Sequence, residues 1–372
     1  MRVKLSDITN YSKGVQINGD DLIVDGEFAY LNGGINPSGR WNASNVNGNT
    51  VTISEGGNSS GYINYMTEPF WCGAHCYYLY DGPTNSKYLY YALKSQQDRM
   101  FNIRSGACMP NIKKSDLGNF EFEFDYDEEV QNRVVSILST VETIITQRKK
   151  ELESFDELIK ARFVEMFGDP ISNPLGWDKP LIEEVVSPEK NSLKAGPFGS
   201  SLKKEYYVES GYKIYGQEQV IAEDPNYGDY YIDEEKYRQL ENCAVKAGDV
   251  LISLVGTYGK LLIMPNCFEP GIINPRLMKI TFDKSKVNPY YFKHFFQSES
   301  LKRALADNTH GGTMDILNLG IVRKIAMPLP PVELQNEFVA FTEQVDKSKS
   351  VIQKSLNEVQ QLFDSLMQVY FG

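Results

Sequence analysis

The sequence is short of the residues from which active sites are usually built. Histidine occurs only three times in 372 residues, as His75, His294 and His310, and no serine or cysteine can be matched to a histidine and an acid on spacing. Five cysteines, an odd number at irregular positions, give no disulfide framework. Cys72-Gly73-Ala74-His75-Cys76 has no second ligand pair at a regular distance, so a buried or loop cluster is expected there rather than zinc. No Gly-x-x-x-x-Gly-Lys-Ser/Thr string occurs, which removes support for a nucleotide motor. Asn288-Pro289-Tyr290-Tyr291 approaches the loop of an adenine methyltransferase but lacks its second proline and a preceding glycine turn. No apolar run approaches the ~20 residues that span a bilayer, and Met1 to Asp7 lacks the apolar stretch of a secretion signal. The expectation is a cytoplasmic, reduced protein with no catalytic residues, metal, cofactor or membrane contact.

What is present suits ordinary folded domains: 41% hydrophobic and 12% aromatic residues can fill real cores. The formal net charge of −11, taken whole, argues against a nucleic-acid binder. The acidity is spread thinly along the chain, however, and net charge describes solubility rather than any one face. A DNA reader with this composition depends on local basic patches or on a basic partner.

The chain repeats itself. Residues 130–168 lie over 334–372 at an offset of 204 without a gap. Val130-Gln131-Asn132 meets Leu334-Gln335-Asn336, Val134 meets Phe338, Leu158 meets Leu362, and Phe167-Gly168 meets Phe371-Gly372. Apolar positions 130, 134, 137, 141, 152, 155, 158 and 166 follow helical spacing, and no Pro or Gly interrupts Glu128 to Phe167. Roughly 37 residues at 1.5 Å each give a rod of about 55 Å. Upstream, Asn85-Ser86-Lys87-Tyr88 lies over Asn288-Pro289-Tyr290-Tyr291, where Asn caps a helix and Pro289 fits its first turn. Gly48-Asn49-Thr50-Val51 lies over Gly248-Asp249-Val250-Leu251, each opening a strand, and Gly56 then meets Gly256. Gly106 to Met109 lies over Gly311 to Met314.

On these residues the sequence resembles the specificity subunits of Type I restriction–modification systems. Arg162-Phe163-Val164-Glu165-Met166-Phe167-Gly168-Asp169-Pro170, followed by Asn173-Pro174-Leu175-Gly176-Trp177, is similar to that family's passage from central spacer helix to second recognition domain. Met327-Pro328-Leu329-Pro330-Pro331-Val332-Glu333-Leu334-Gln335 resembles its entry into the distal helix. Gly196-Pro197-Phe198-Gly199-Ser200-Ser201-Leu202-Lys203 resembles the start of one class of recognition domain. The resemblance implies two recognition domains on a split, asymmetric site in double-stranded DNA. It also implies helices that set the gap and bind two methyltransferase subunits, and motor-nuclease subunits that join them. Chemistry then belongs to the partners.

The expected fold is mixed α/β (α+β), a pseudo-twofold repeat of two target-recognition domains joined by two long antiparallel coiled-coil helices. The expected segments are 1–127, 128–168, 169–330 and 331–372. Candidate DNA contacts in the first half are Asn32, Asn36 and Arg40 after a strand-like run, Asn58, Ser59 and Ser60 in the Gly-rich loop 56–61, and Lys113. In the second half they are Ser200, Lys203, Gln217, Gln219, Thr257, Tyr258 and Lys260. Amides and guanidinium suit bidentate contacts to adenine and guanine, while lysines and hydroxyls suit phosphates. A plain polar hairpin explains 56–61 equally well. A coiled-coil scaffold that grips proteins without reading DNA is the rival function.

Overall fold

The computed structural model describes residues 1–106, 108–198, 201–254, 260–307 and 317–372, Asp307 in its backbone only. Contacts group them into two units, Met1–Glu151 with Ile352–Gly372, and Leu152–Val351.

The strands of the first unit are β1 (Arg2–Lys4), β2 (Asn10–Lys13), β3 (Phe28–Leu31), β4 (Gly39–Trp41), β5 (Thr50–Ser54), β6 (Ile63–Met66), β7 (Phe70–Cys72), β8 (Cys76–Tyr80) and β9 (Glu121–Glu123). An antiparallel sheet runs in the order β2-β8-β5-β6. A smaller sheet runs β4-β3-β7, with β3 and β7 parallel, and β1 pairs with β9. The second unit carries β10 (Leu193–Ala195), β11 (Tyr207–Val208), β12 (Tyr212–Tyr215), β13 (Tyr231–Ile232), β14 (Val250–Ser253), β15 (Leu261–Ile263), β16 (Gly271–Ile273) and β17 (Leu277–Ile280). One of its two four-stranded sheets runs β10-β17-β14-β15, again antiparallel. Its other sheet runs β11-β13-β12-β16, with β12 and β16 parallel. The two main sheets of each unit coincide strand for strand, with β11 added in the second, where an isolated Leu181–Ala326 bridge takes the place of the β1–β9 pair of the first. The match of residue 50 to residue 250 read from the sequence is the match of β5 to β14.

Side-chain alternation explains why one sheet serves two cores. All four residues of β14 are buried. Val250 and Ile252 enter the core that includes Phe292, Phe295 and Phe338. Leu251, between them, enters the core of the second sheet with Ile214, Ile232 and Ile272.

Two uninterrupted helices of 40 residues, Glu128–Phe167 and Val332–Phe371, complete the architecture. Each starts in one unit and ends in the other. In the first unit, Val134 and Leu138 near the start of one helix share a core with Met367 and Phe371 at the end of the other. In the second unit, Phe163 and Phe167 at the end of the first helix pack on Phe338 near the start of the second. Start meets end in both, the antiparallel pairing expected. One detail of the stripe differs. Leu158 and Leu362 are 47% and 50% exposed, whereas Ile159 and Phe163, one turn apart, point inward. The heptad-like spacing through 158 therefore runs one position off the buried face there.

A repeated device ties each long helix to its domain. Asn85 and Asn288 cap short helices by accepting from the backbone N–H of Tyr88 and Tyr290, as the sequence suggested. Their side-chain amides also donate to Asn132 (2.9 Å) and Asn336 (2.8 Å), equivalent residues of the two long helices. Beside them the buried Gln131 donates to the carbonyl of Asp125. Gln335 donates to Lys286 and Pro330 and accepts from the N–H of Asn288. Gln335→Ala leaves three backbone groups without this partner and is expected to cost about 2–3 kcal/mol. Gln131→Ala should cost about 1 kcal/mol. Urea midpoints at unchanged m-value measure both.

His294 gives the second unit an acid sensitivity. Burial, then the neighbouring Lys293 charge, push its imidazole down to about 4, with Lys349 adding to the shift and Glu223 opposing it. Its ring stands edge-on to Phe338 at 5.1 Å. A histidine whose folded value is depressed costs stability as pH falls below its unfolded value near 6.5, and the loss levels off near 4. About 2 kcal/mol should be lost between pH 7 and pH 4.5 through this group. The His294→Phe variant, melted at both pH values, should lose correspondingly less; an unchanged difference rules the assignment out.

Candidate nucleic-acid interface

In the first unit four loops converge where β3, β5 and β7 end. Asn32 follows β3, Glu55 follows β5, and Gly73 to His75 connect β7 to β8. The Ser59 hydroxyl donates to the Gly33 carbonyl at 2.6 Å, and Asn32 Oδ1 accepts from the His75 N–H at 3.3 Å. The N–H groups of Ile112 and Gly57 donate to Glu55 and Pro110, drawing in the fourth loop. Gly33 is required here: its φ is +84°, and a Cβ would stand 2.3 Å from the His75 carbonyl.

The charges on these loops are mostly positive. Lys13 pairs with Glu55 at 2.7 Å, and His75 Nδ1 lies 3.3 Å from the other carboxylate oxygen. Partial burial pushes the Glu55 carboxyl up, but bonds from Lys13 and His75 outweigh it and hold the group below its usual range. Lys113 and Lys114 line a cleft of about 550 Å³ with Lys13, Glu55 and Asn111. Arg104 reaches the Asn58 carbonyl at 3.5 Å. A basic patch thus sits within an acidic chain.

The sequence candidates divide accordingly. Asn36, Asn58 and Lys113 are exposed, and Asn32 and Ser59 half-buried, within this loop cluster. Ser60 is fully buried and donates to the Glu55 carbonyl. Arg40 lies on β4, where its guanidinium holds the carbonyls of Gly26 and Glu27. Lys114 joins the cluster beside its neighbour Lys113, with which the sequence pairs it as a candidate backbone contact; Lys13, His75 and Arg104 join without having been singled out for DNA, because loop convergence brings them there.

In the second unit Lys203 is exposed and paired with Glu205 at 3.4 Å, and Lys260 is exposed beside β15. Gln217 donates to Ser253 at 2.8 Å and accepts from Arg276 at 3.4 Å. Gln219 is fully buried, its amide bonded to the backbone of Gly216 and Tyr227. Ser200, Thr257 and Tyr258 lie outside the described residues, as do Gly256 and all of 311–314. Cys72 and Cys76 are buried. Among the described residues no group of three or more His, Cys, Asp or Glu is arranged to hold a metal, and no helix is long and apolar enough to cross a membrane.

A family model described as the Type I restriction modification DNA specificity domain matches residues 1–154 and 198–361. The chain belongs to this family of type I specificity subunits. A Mycoplasma genitalium protein named as a type I specificity subunit is 31% identical over 157 residues, 41% of this chain and 40% of that one. A type I restriction enzyme specificity subunit of Methanocaldococcus jannaschii is 20% identical over 302 residues, covering 75% of this chain and 68% of its own. The match to the mycoplasma relative thus spans about two fifths of its length. The crystal structure of a type I S subunit from M. genitalium covers 100% of this chain and 96% of its own, with a TM-score of 0.62 at 20% identity. A chain from a structure of type I R-M complex assembly and conformational transition gives 0.59 at 14%, covering 99% and 96%. The fold is theirs, and the resemblance to Type I specificity subunits is borne out.

Proposed function

We propose that the chain reads a split, asymmetric site in double-stranded DNA with two heads, residues 1–127 and 169–330, and performs no chemistry itself. The helices, 128–168 and 331–372, set the gap between the half-sites and dock two methyltransferase subunits, which motor-nuclease subunits join. The supporting observation is one strand frame built twice, from which segments of different sequence and length emerge. A repeated frame suits a common duplex geometry, and divergent loops suit two base sequences. In the first head the proposed contacts are Asn32, Asn36, Asn58, Ser59 and Lys113, together with Lys13, Arg104 and Lys114. In the second they are Lys203, Gln217 and Lys260, along with Ser200, Thr257 and Tyr258.

Phosphate contacts release counterions, so affinity should fall steeply with salt. Lys113→Glu with Lys114→Glu should weaken binding across all sequences and flatten that slope, leaving the preferred motif unchanged. Anisotropy titrations of the chain with its methyltransferase subunits measure this. Affinity independent of salt and of DNA sequence would favour the protein-binding scaffold instead. Labelled methyl transfer by the chain alone would contradict its non-catalytic role.

A further inference from the structure

The connections β7–β8 and β16–β17 are the same connection. Each has three residues: Gly73-Ala74-His75 after Cys72, and Asn274-Pro275-Arg276 after Ile273. Gly73 N–H donates to Leu31, the last residue of β3, and Asn274 N–H donates to Tyr215, the last of β12. The carbonyl of His75 accepts from the N–H of Glu55, the residue after β5. The carbonyl of Arg276 accepts from the N–H of Leu254, the residue after β14. Matching backbone bonds on both sides put His75 and Arg276 at one position of the repeated frame.

The side chains differ in what holds them. His75 faces the carboxylate of Glu55. Leucine stands at the equivalent position 254, so no acid there competes for Arg276. Arg276 is exposed. Its guanidinium touches Gln217 Oε1 at 3.4 Å, a contact that aims the group without neutralising it, and Asn274 Oδ1 fixes the loop by accepting the Arg276 N–H. A planar fork of donors, rigidly based and not paired with an acid among the described residues, matches the two major-groove acceptors of guanine, O6 and N7.

We infer that this loop position determines specificity in both heads, and that Arg276 reads a guanine in the half-site of the second. The inference rests on the DNA-reading function proposed above. The test is to map methylated sites made by the full chain with its methyltransferase subunits, for the unaltered protein and for Arg276→Ala, Arg276→Lys and His75→Ala. Arg276→Lys keeps the charge and loses the fork. Both Arg276 variants should lose discrimination on the order of tenfold to a hundredfold at one G·C pair of one half-site. His75→Ala should relax a position in the other half-site only. An unchanged motif with a flatter salt dependence makes Arg276 a phosphate contact and overturns the inference, as does an unchanged motif with unchanged affinity. Absence of any split motif with the unaltered chain would instead refute the DNA-reading function itself.

Discussion

Asp249→Ala is expected to destabilise the second unit by about 3–5 kcal/mol. Asp249, immediately before β14, has no exposed surface. One carboxylate oxygen accepts from the Thr281 hydroxyl, and the other accepts from the Lys246 N–H at 2.8 Å and faces Lys279 Nζ at 3.3 Å. Lys279, on β17, is almost as buried and also donates to the Ala244 carbonyl. Removing the acid leaves an ammonium in the sheet interior and orphans two donors. Removing both charges is a different experiment, because the desolvation penalty of the pair disappears with it. Asp249→Leu with Lys279→Met should therefore be much closer to the native protein than Asp249→Ala alone, giving a coupling of several kcal/mol in a double-mutant cycle. Denaturant unfolding of the four proteins measures it, and additive losses would refute a coupled buried pair.

Phe167→Ala should be comparably severe, about 3–5 kcal/mol. Phe167 ends the first long helix and is 1% exposed. Its ring meets Tyr291 at 4.9 Å, Phe163 at 5.1 Å and Phe338 at 5.5 Å. Those partners come from the same helix, the short capped helix and the start of the second long helix, so the ring locks three segments at once. Its counterpart Phe371, 5% exposed, has Tyr88 at 5.3 Å, while Met367 and Val134 stand where Phe163 and Phe338 stand in the second unit. Phe371→Ala should cost less, about 2–4 kcal/mol. Against a typical domain stability of 5–15 kcal/mol either loss is large. Equal small effects below about 1 kcal/mol would mean that the helix ends are not part of the cores.

Much of this frame is legible in the sequence because it is written in local chemistry. The 204-residue offset, the uninterrupted helices, the caps Asn85 and Asn288 and the strands opening at 50 and 250 all rest on periodicity or on a residue's own backbone preference. Leu158 and Leu362 show the limit of periodicity. Spacing by threes and fours admits either of two adjacent positions, and only packing selects Ile159 and Phe163. The candidate contacts depend on tertiary placement to a greater degree. Gln219 looks like a loop amide, yet its amide closes a helix start and is buried. Arg40 looks like a guanine reader, yet backbone carbonyls hold its guanidinium. His75 drew attention only for zinc, and Arg276 for nothing, because their equivalence exists solely in hydrogen bonds between loops distant in sequence. A sequence signal was available: each stands immediately before a matched strand, Cys76–Tyr80 and Leu277–Ile280.

The central claim is that one frame holds two separate readers. The direct measurement is genome-wide methylation mapping after residues 172–330 are exchanged for the equivalent domain of another such subunit. The helices 128–168 and 332–372 are left alone, as is the first head. The account expects one part of the recognised motif to change, the other part to persist, and the gap between them to keep its length. A motif whose two parts change together, or whose gap shifts, would contradict it.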